Sequence, residues 1–172
     1  MANTQSMCTS FMGELLTATH NFGTAPTRGA STADTFKAAL YFASATVNAS
    51  TTAYSTTGEV TNSSGSGYTA GGTTVTNANA PASTNTSSTA GVAYWTPSAS
   101  FSWSALTVTT AFDTVLLYNS TQSNRAVSVH TFGSQTVTAG TFTLTMPPNT
   151  TTNALLRDRK STRLNSSHMS ES

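Results

Sequence analysis

Groups that titrate near neutral pH are scarce in this chain and lie far apart. Upstream of Asp158 it holds two histidines, His20 and His130, four carboxylates, Glu14, Asp34, Glu59 and Asp113, and a single thiol, Cys8. General acid–base chemistry needs tunable groups held close together. The plainest centre this set could build is a Ser/His/Asp triad of His130, Asp113 and one of the many serines. Nothing in the sequence resembles the strand-to-helix turn that exposes such a nucleophile, and in so serine-rich a chain a nominal triad arises by chance. A catalytic metal wants three or more ligands from His, Cys and carboxylate, and here the candidates are scattered. Cys8 has no second thiol for a disulfide or a zinc knuckle and reads as a small buried apolar residue. His20, near the end of the first helix, complements the helix dipole, and His130 reads as a surface strand residue beside Val129. No catalytic, cofactor-binding or metal-binding residues are therefore assigned, no cofactor is expected, and the chain is read as a non-enzyme.

Two other patterns invite a functional reading. Gly65-Ser66-Gly67-Tyr68-Thr69-Ala70-Gly71-Gly72 is glycine-rich, but a phosphate loop needs a following Lys and Ser/Thr or a strand-to-helix setting. It reads as a turn cluster. Tyr94, Trp95, Phe101 and Trp103 could form a stacking platform for sugar rings. Alternation instead puts Trp103 in the core, while Trp95, at a strand end beside Thr96-Pro97, is more open. The sequons at Asn48, Asn62, Asn85, Asn119 and Asn149 are what so much Ser and Thr produces by chance.

The elements that would position these residues are mostly strands. Thr and Ser dominate the composition, and β-branched Thr suits a pleated, half-exposed sheet. A helix is expected near the start, over about residues 6–23, with Thr9 or Ser10 at its cap, Phe11, Leu15, Ala18 and Phe22 on its apolar face, and Gly23 ending it. From Asp34 the period becomes two: Phe36, Ala38, Leu40 and Phe42 share one face, with Lys37, Ala39 and Tyr41 on the other. Short strands follow at Glu59-Val60, 73–77, 92–95 and 100–108. The run 111–118, the most apolar, reads as a central strand. Residues 125–132 return from a turn at 119–124, with Val127 and Val129 on one face. Gly133 and Gly140 then punctuate strands at 135–138 and 142–146, and 154–157 starts a last strand. This spacing predicts a mainly β fold, an antiparallel sandwich of immunoglobulin-like or jelly-roll-like type with one N-terminal helix. Residues 78–91, centred on Asn79 to Ser88, lack apolar periodicity and read as a mobile loop.

Asp158 to His168 is, residue for residue, the translation of a widely used sequencing-library adapter, and Met169 to Ser172 is similar to a sample index running on from it. Residues 158–172 are accordingly read as an adapter-derived tail, leaving 1–157 as one domain. Without the tail the balance is Arg28, Lys37, Arg125 and Arg157 against Glu14, Asp34, Glu59 and Asp113, a net charge of zero. Nucleic acid and membrane surfaces both call for clustered Lys and Arg, so neither is expected as a partner. No run approaches the roughly 18 apolar residues of a spanning helix, and Met1 to Gln5 lacks the basic start of a signal peptide. Synthesis in a cytoplasm is expected.

Met7-Cys8-Thr9-Ser10-Phe11, Asp34-Thr35-Phe36-Lys37-Ala38-Ala39-Leu40-Tyr41, Thr52-Ala53-Tyr54 through Gly58-Glu59-Val60, Gly67 to Gly72, and Thr110-Ala111-Phe112-Asp113 through Leu117-Tyr118-Asn119-Ser120 resemble a family of small tailed-bacteriophage virion structural proteins. Asn124 to Val127, Phe132-Gly133-Ser134 and Gly140 to Leu144 extend the resemblance, which reaches Arg157. It implies a non-enzymatic subunit of a phage head, neck or tail, made in the bacterial host and located in the virion. Its partners would be other virion proteins and copies of itself. The alternative is a sandwich module that binds a host glycan through its loops.

Overall fold

The computed structural model describes residues 3–16, 18–23, 33–61, 66–84 and 91–159. Within them the chain is mainly β, with a single short helix and two antiparallel sheets. In chain order the elements are β1 (Ser6–Met7), α1 (Thr9–Leu16), β2 (Phe36–Phe42), β3 (Thr73–Thr74), β4 (Ala82–Ser83), β5 (Val92–Trp95), β6 (Phe101–Asn119), β7 (Arg125–Leu144) and β8 (Leu156–Arg159). The larger sheet runs β1-β7-β6-β2-β3 and the smaller β4-β5-β8. Trp95 of β5 joins them: Phe22 stacks on Phe36 of β2 at 4.2 Å between ring centroids and meets Trp95 edge-on at 4.7 Å.

The spine is the β6–β7 hairpin. The expected interruptions at Thr109-Thr110, Gly133 and Gly140 do not end strands, because the ladder absorbs them as bulges. Its register shifts between the pairs Trp103/Phe142 and Leu106/Gly140, Leu106/Gly140 and Val108/Val137, and Phe112/Gln135 and Thr114/Thr131. Ala105 and Ala139 take positive φ there, 52° and 48°. A bulge adds a residue and twist without breaking the sheet. The 111–118 run does lie centrally, inside β6 between β7 and β2.

β2 is buried on both faces. Besides Phe36, Ala38 and Leu40, the residues of the opposite face, Ala39 and Tyr41, are also buried, because residues 53–60 and 66–72 fold over that side. The glycine-rich run explains how so close a cover fits. A Cβ at Gly67 would sit 2.1 Å from the Ala105 carbonyl oxygen, and one at Gly72 would sit 1.9 Å from that of Ala38. The glycines serve backbone-on-backbone packing, as a turn reading requires.

The helix is shorter than its pattern suggests. It ends at Leu16, and Ala18, not Gly23, takes the left-handed conformation (φ 54°) that closes it. The Ala18 N–H bonds the Leu15 carbonyl and the Thr19 N–H that of Glu14, at 3.2 and 3.0 Å, the paired bonds of a Schellman ending. The chain then turns back so that His20 and Phe22 reach the sheet from a loop. Leu15 is left 47% exposed, Phe11 remains fully buried, and Glu14 takes the inward place.

Part of the expected loop is strand: Ala82 and Ser83 pair with Tyr94 and Ala93, while residues 85–90 lie outside the described residues. Asp158 and Arg159 are not detached either, since their backbones continue β8 opposite Ala93 and Val92. Main-chain pairing of this kind accepts almost any side chain. The rest of the tail, 160–172, lies outside the described residues.

Phe11→Ala should cost about 3–5 kcal/mol, whereas Leu15→Ala should stay within about 0.5 kcal/mol of the parent, as exposed substitutions do. Urea unfolding of both variants checks this, and equal losses would put α1 in the wrong orientation.

Candidate functional site

The residues with chemical potential fall into three separate places. The first joins α1 to the β6–β7 turn. Glu14 Oε2 accepts from His20 Nε2 at 2.7 Å, and Arg125 donates to Oε1 of the same carboxylate. The His20 side chain is fully buried. Its Nδ1 faces Asn119 Nδ2 at 3.0 Å, and that amide also donates to Asp34 Oδ2 at 2.7 Å. Asn119 Nδ2 is a donor only, so His20 Nδ1 accepts and Nε2 carries the proton given to Glu14. Asp34 further accepts from the Asn21 N–H and from Gln122 Nε2, at 2.8 and 3.1 Å. Burial pushes the Glu14 carboxyl up, but the His20 and Arg125 hydrogen bonds and charges outweigh it and hold its pKa below the ordinary value. His20 is thus a bridge from helix to sheet rather than a helix-dipole partner. Glu–His pairs orient imidazoles in active sites, yet both nitrogens of this one are engaged and sealed from solvent.

The second place is Glu59, buried under the loops that cover β2. Tyr68 Oη and the Gly71 N–H donate to Oε1, each at 2.7 Å, and Tyr54 Oη donates to Oε2 at 2.6 Å. Tyr118 stacks on Tyr54 at 4.6 Å and donates to the Gly71 carbonyl at 2.7 Å. Burial, and then the carboxylate, push the Tyr54 and Tyr68 hydroxyls far up, and Tyr118 to about 12. These phenols stay protonated as donors.

The third is a cleft of about 630 Å³ beside β1, lined by Gln5, Met7, Ser128, His130, Leu155 and Arg157 among others. Ser128 Oγ and His130 Nε2 share a hydrogen bond of 2.9 Å. His130 is only partly exposed, not the surface residue its sequence position suggests, and burial pulls its pKa down to about 4. Among the described side chains no acid lines the cleft to support an imidazolium. Asp113, the acid the sequence offered for a triad, is instead engaged with Asn3 Nδ2 and Thr114 Oγ1, both at 2.7 Å. Ser128 is 2% exposed. The Ser/His pair therefore lacks both the orienting acid and the open nucleophile of a triad.

The aromatic platform does not assemble. Phe101, Trp103 and Trp95 are buried. Trp95, the ring expected to be open, donates its indole N–H to Asn77 Oδ1 and the Asn79 carbonyl, both at 3.0 Å. Burial raises the Cys8 thiol to about 11, which makes it inert. Among the described residues no three His, Cys, Asp or Glu side chains gather where they could hold a metal.

What sequence reasoning missed is that the short Thr-rich strands expected at 100–108, 135–138 and 142–146 run on into the two long strands of one hairpin, of which they form the far half. There Ser102, Ser104, Thr109, Thr110, Thr136, Thr138, Thr141 and Thr143 are exposed. Between Val60 and Leu156 only Asp113 and Arg125 carry charge. The signal was available, since the Thr/aromatic alternation runs on across Gly140. No protein-family model, curated protein or solved structure matches this chain.

For His130, protonation is easier in the unfolded chain than in the fold. Stability should therefore fall as pH drops from about 6.5, the ordinary value, to about 4, where the folded ring also charges. His130→Gln should flatten that part of a stability–pH curve from denaturant melts. An unchanged slope would mean the imidazole is solvated.

Proposed function

We propose that the chain is a non-enzymatic structural subunit of a bacteriophage particle, working through contacts with copies of itself and with other virion proteins. The observation that carries this reading is the uncharged, hydroxyl-covered surface of the far half of the β6–β7 hairpin. Hydroxyls cost less to desolvate than charges, so such a face can be covered by a neighbour without stranding ions. Interface cores are depleted of charged residues for the same reason. Repetition of one such contact is how identical subunits build a symmetric assembly.

The chemistry of the described residues is consistent with this role. The carboxylates at 14, 34, 59 and 113 are all engaged in holding loops. The family resemblance supports the same class of protein, leaving head, neck or tail open. Glycan binding by stacked rings has less support, because the candidate indoles are in the core.

Ser104 and Thr110 lie exposed on this surface. Ser104→Lys and Thr110→Lys should each leave the isolated domain folded, with stability within about 0.5 kcal/mol of the parent. Each should strongly reduce recovery of the subunit in purified particles when it replaces the parent chain. Normal incorporation of both, or His130-dependent turnover of an ester or glycan by the purified chain, would overturn the proposal.

A further inference from the structure

The two edges of the far hairpin differ. On the β6 side, residues 66 and 67 lie against the strand: the Thr107 N–H donates to the Ser66 carbonyl at 2.7 Å, and Gly67 packs on the Ala105 carbonyl. On the β7 side, β1 pairs only with Ser128 and Val129, and beyond them no described strand adds to that edge as far as Leu144. Natural edge strands are usually blunted by charge, proline or a covering element. Between Ala126 and Met146 this one has no Asp, Glu, Lys, Arg or Pro. Beyond the β7 bulges at 132–134 and 138–139, Gly140 to Leu144 carries no extra residue of its own, and its inner side pairs with Phe101, Ser102, Trp103 and, across a register shift on the β6 side, Leu106. Phe142 and Leu144 are there only partly buried, while Thr141 and Thr143 are exposed on the other face.

We propose that this edge pairs with the same edge of a second copy of the chain, antiparallel about a two-fold axis at Phe142. This rests on the structural-subunit reading and names the partner. Three features select a second copy. An antiparallel self-pair sets Thr141 of one copy opposite Thr143 of the other, a cross-strand pair that sheets favour. It carries the partly covered Phe142 row across the junction onto an identical row. The stretch has no charge, so self-pairing opposes no like charges, whereas a charged partner strand would find no counter-ion.

The test is charge exchange on the full chain. The parent should sediment as a dimer or larger species at micromolar concentration. The double variants Thr141→Lys/Thr143→Lys and Thr141→Glu/Thr143→Glu should each sediment as folded monomers, with circular dichroism like the parent's and a melting temperature that no longer rises with protein concentration. An equimolar mixture of the two should restore the dimer, and added salt should weaken it. A parent that stays monomeric to millimolar concentration, or double variants that associate as the parent does, would overturn the pairing. A failure of mixing to restore the dimer would overturn the antiparallel register. A parent monomer that still enters particles would leave the subunit reading standing without this pairing. A dimer with these properties that never enters particles would do the reverse.

Discussion

Glu59 is buried beneath the loops that cover β2, with both carboxylate oxygens engaged by Tyr54, Tyr68 and the Gly71 amide. A buried carboxylate costs several kcal/mol unless it is hydrogen-bonded, so these partners and this loop path are tied to one another. The same constraint operates at buried Glu14, and the partly buried Asp34 and Asp113 are likewise hydrogen-bonded across the fold. Glu14 fastens α1 to the start of β7 through Arg125, and to the chain beyond the helix through His20. Asp34 fastens the approach to β2 onto the β6–β7 turn, and Asp113 holds Asn3, which also bonds the Phe42 carbonyl and the Val47 N–H. A chain with so few charges uses them as internal staples, and its outer surface is left to hydroxyls.

The hairpin carries that division along its length. In its near half, Val115 to Tyr118 and Ala126 to Val129 are buried on both faces. In its far half one face holds Phe101, Trp103, Leu106, Val108 and Phe112 while the other shows Thr and Ser to solvent. Anchoring at one end and an uncharged, partly uncovered edge at the other are what the proposed assembly role rests on.

Local pattern made several elements legible. β2 and β5, and the central position of 111–118, follow from period-two alternation and apolar content. α1 was overextended because Leu15, Ala18 and Phe22 keep helical spacing from Phe11, yet the left-handed Ala18 ends the helix and Phe22 reaches the core from a loop. Spacing cannot distinguish these two ways of burying the same ring. The strand breaks expected at glycines failed because bulges tolerate them within a ladder. The polar networks were invisible for another reason: His20 meets Asn119, and Glu14 meets Arg125, across about a hundred residues of chain, separations that no periodicity records. The scarcity of chemistry-bearing groups was plain from composition, but their use as staples needed the fold.

Amide hydrogen exchange on the purified chain at low and high protein concentration tests the central claim that the far β7 edge is an assembly surface. Amides in β2 and in Val115 to Tyr118 should be protected at every concentration, whereas those amides of Gly140 to Leu144 that point away from β6 should gain protection only as concentration rises. Outward amides of Gly140 to Leu144 whose exchange is unchanged through to the millimolar range would refute the assembly edge.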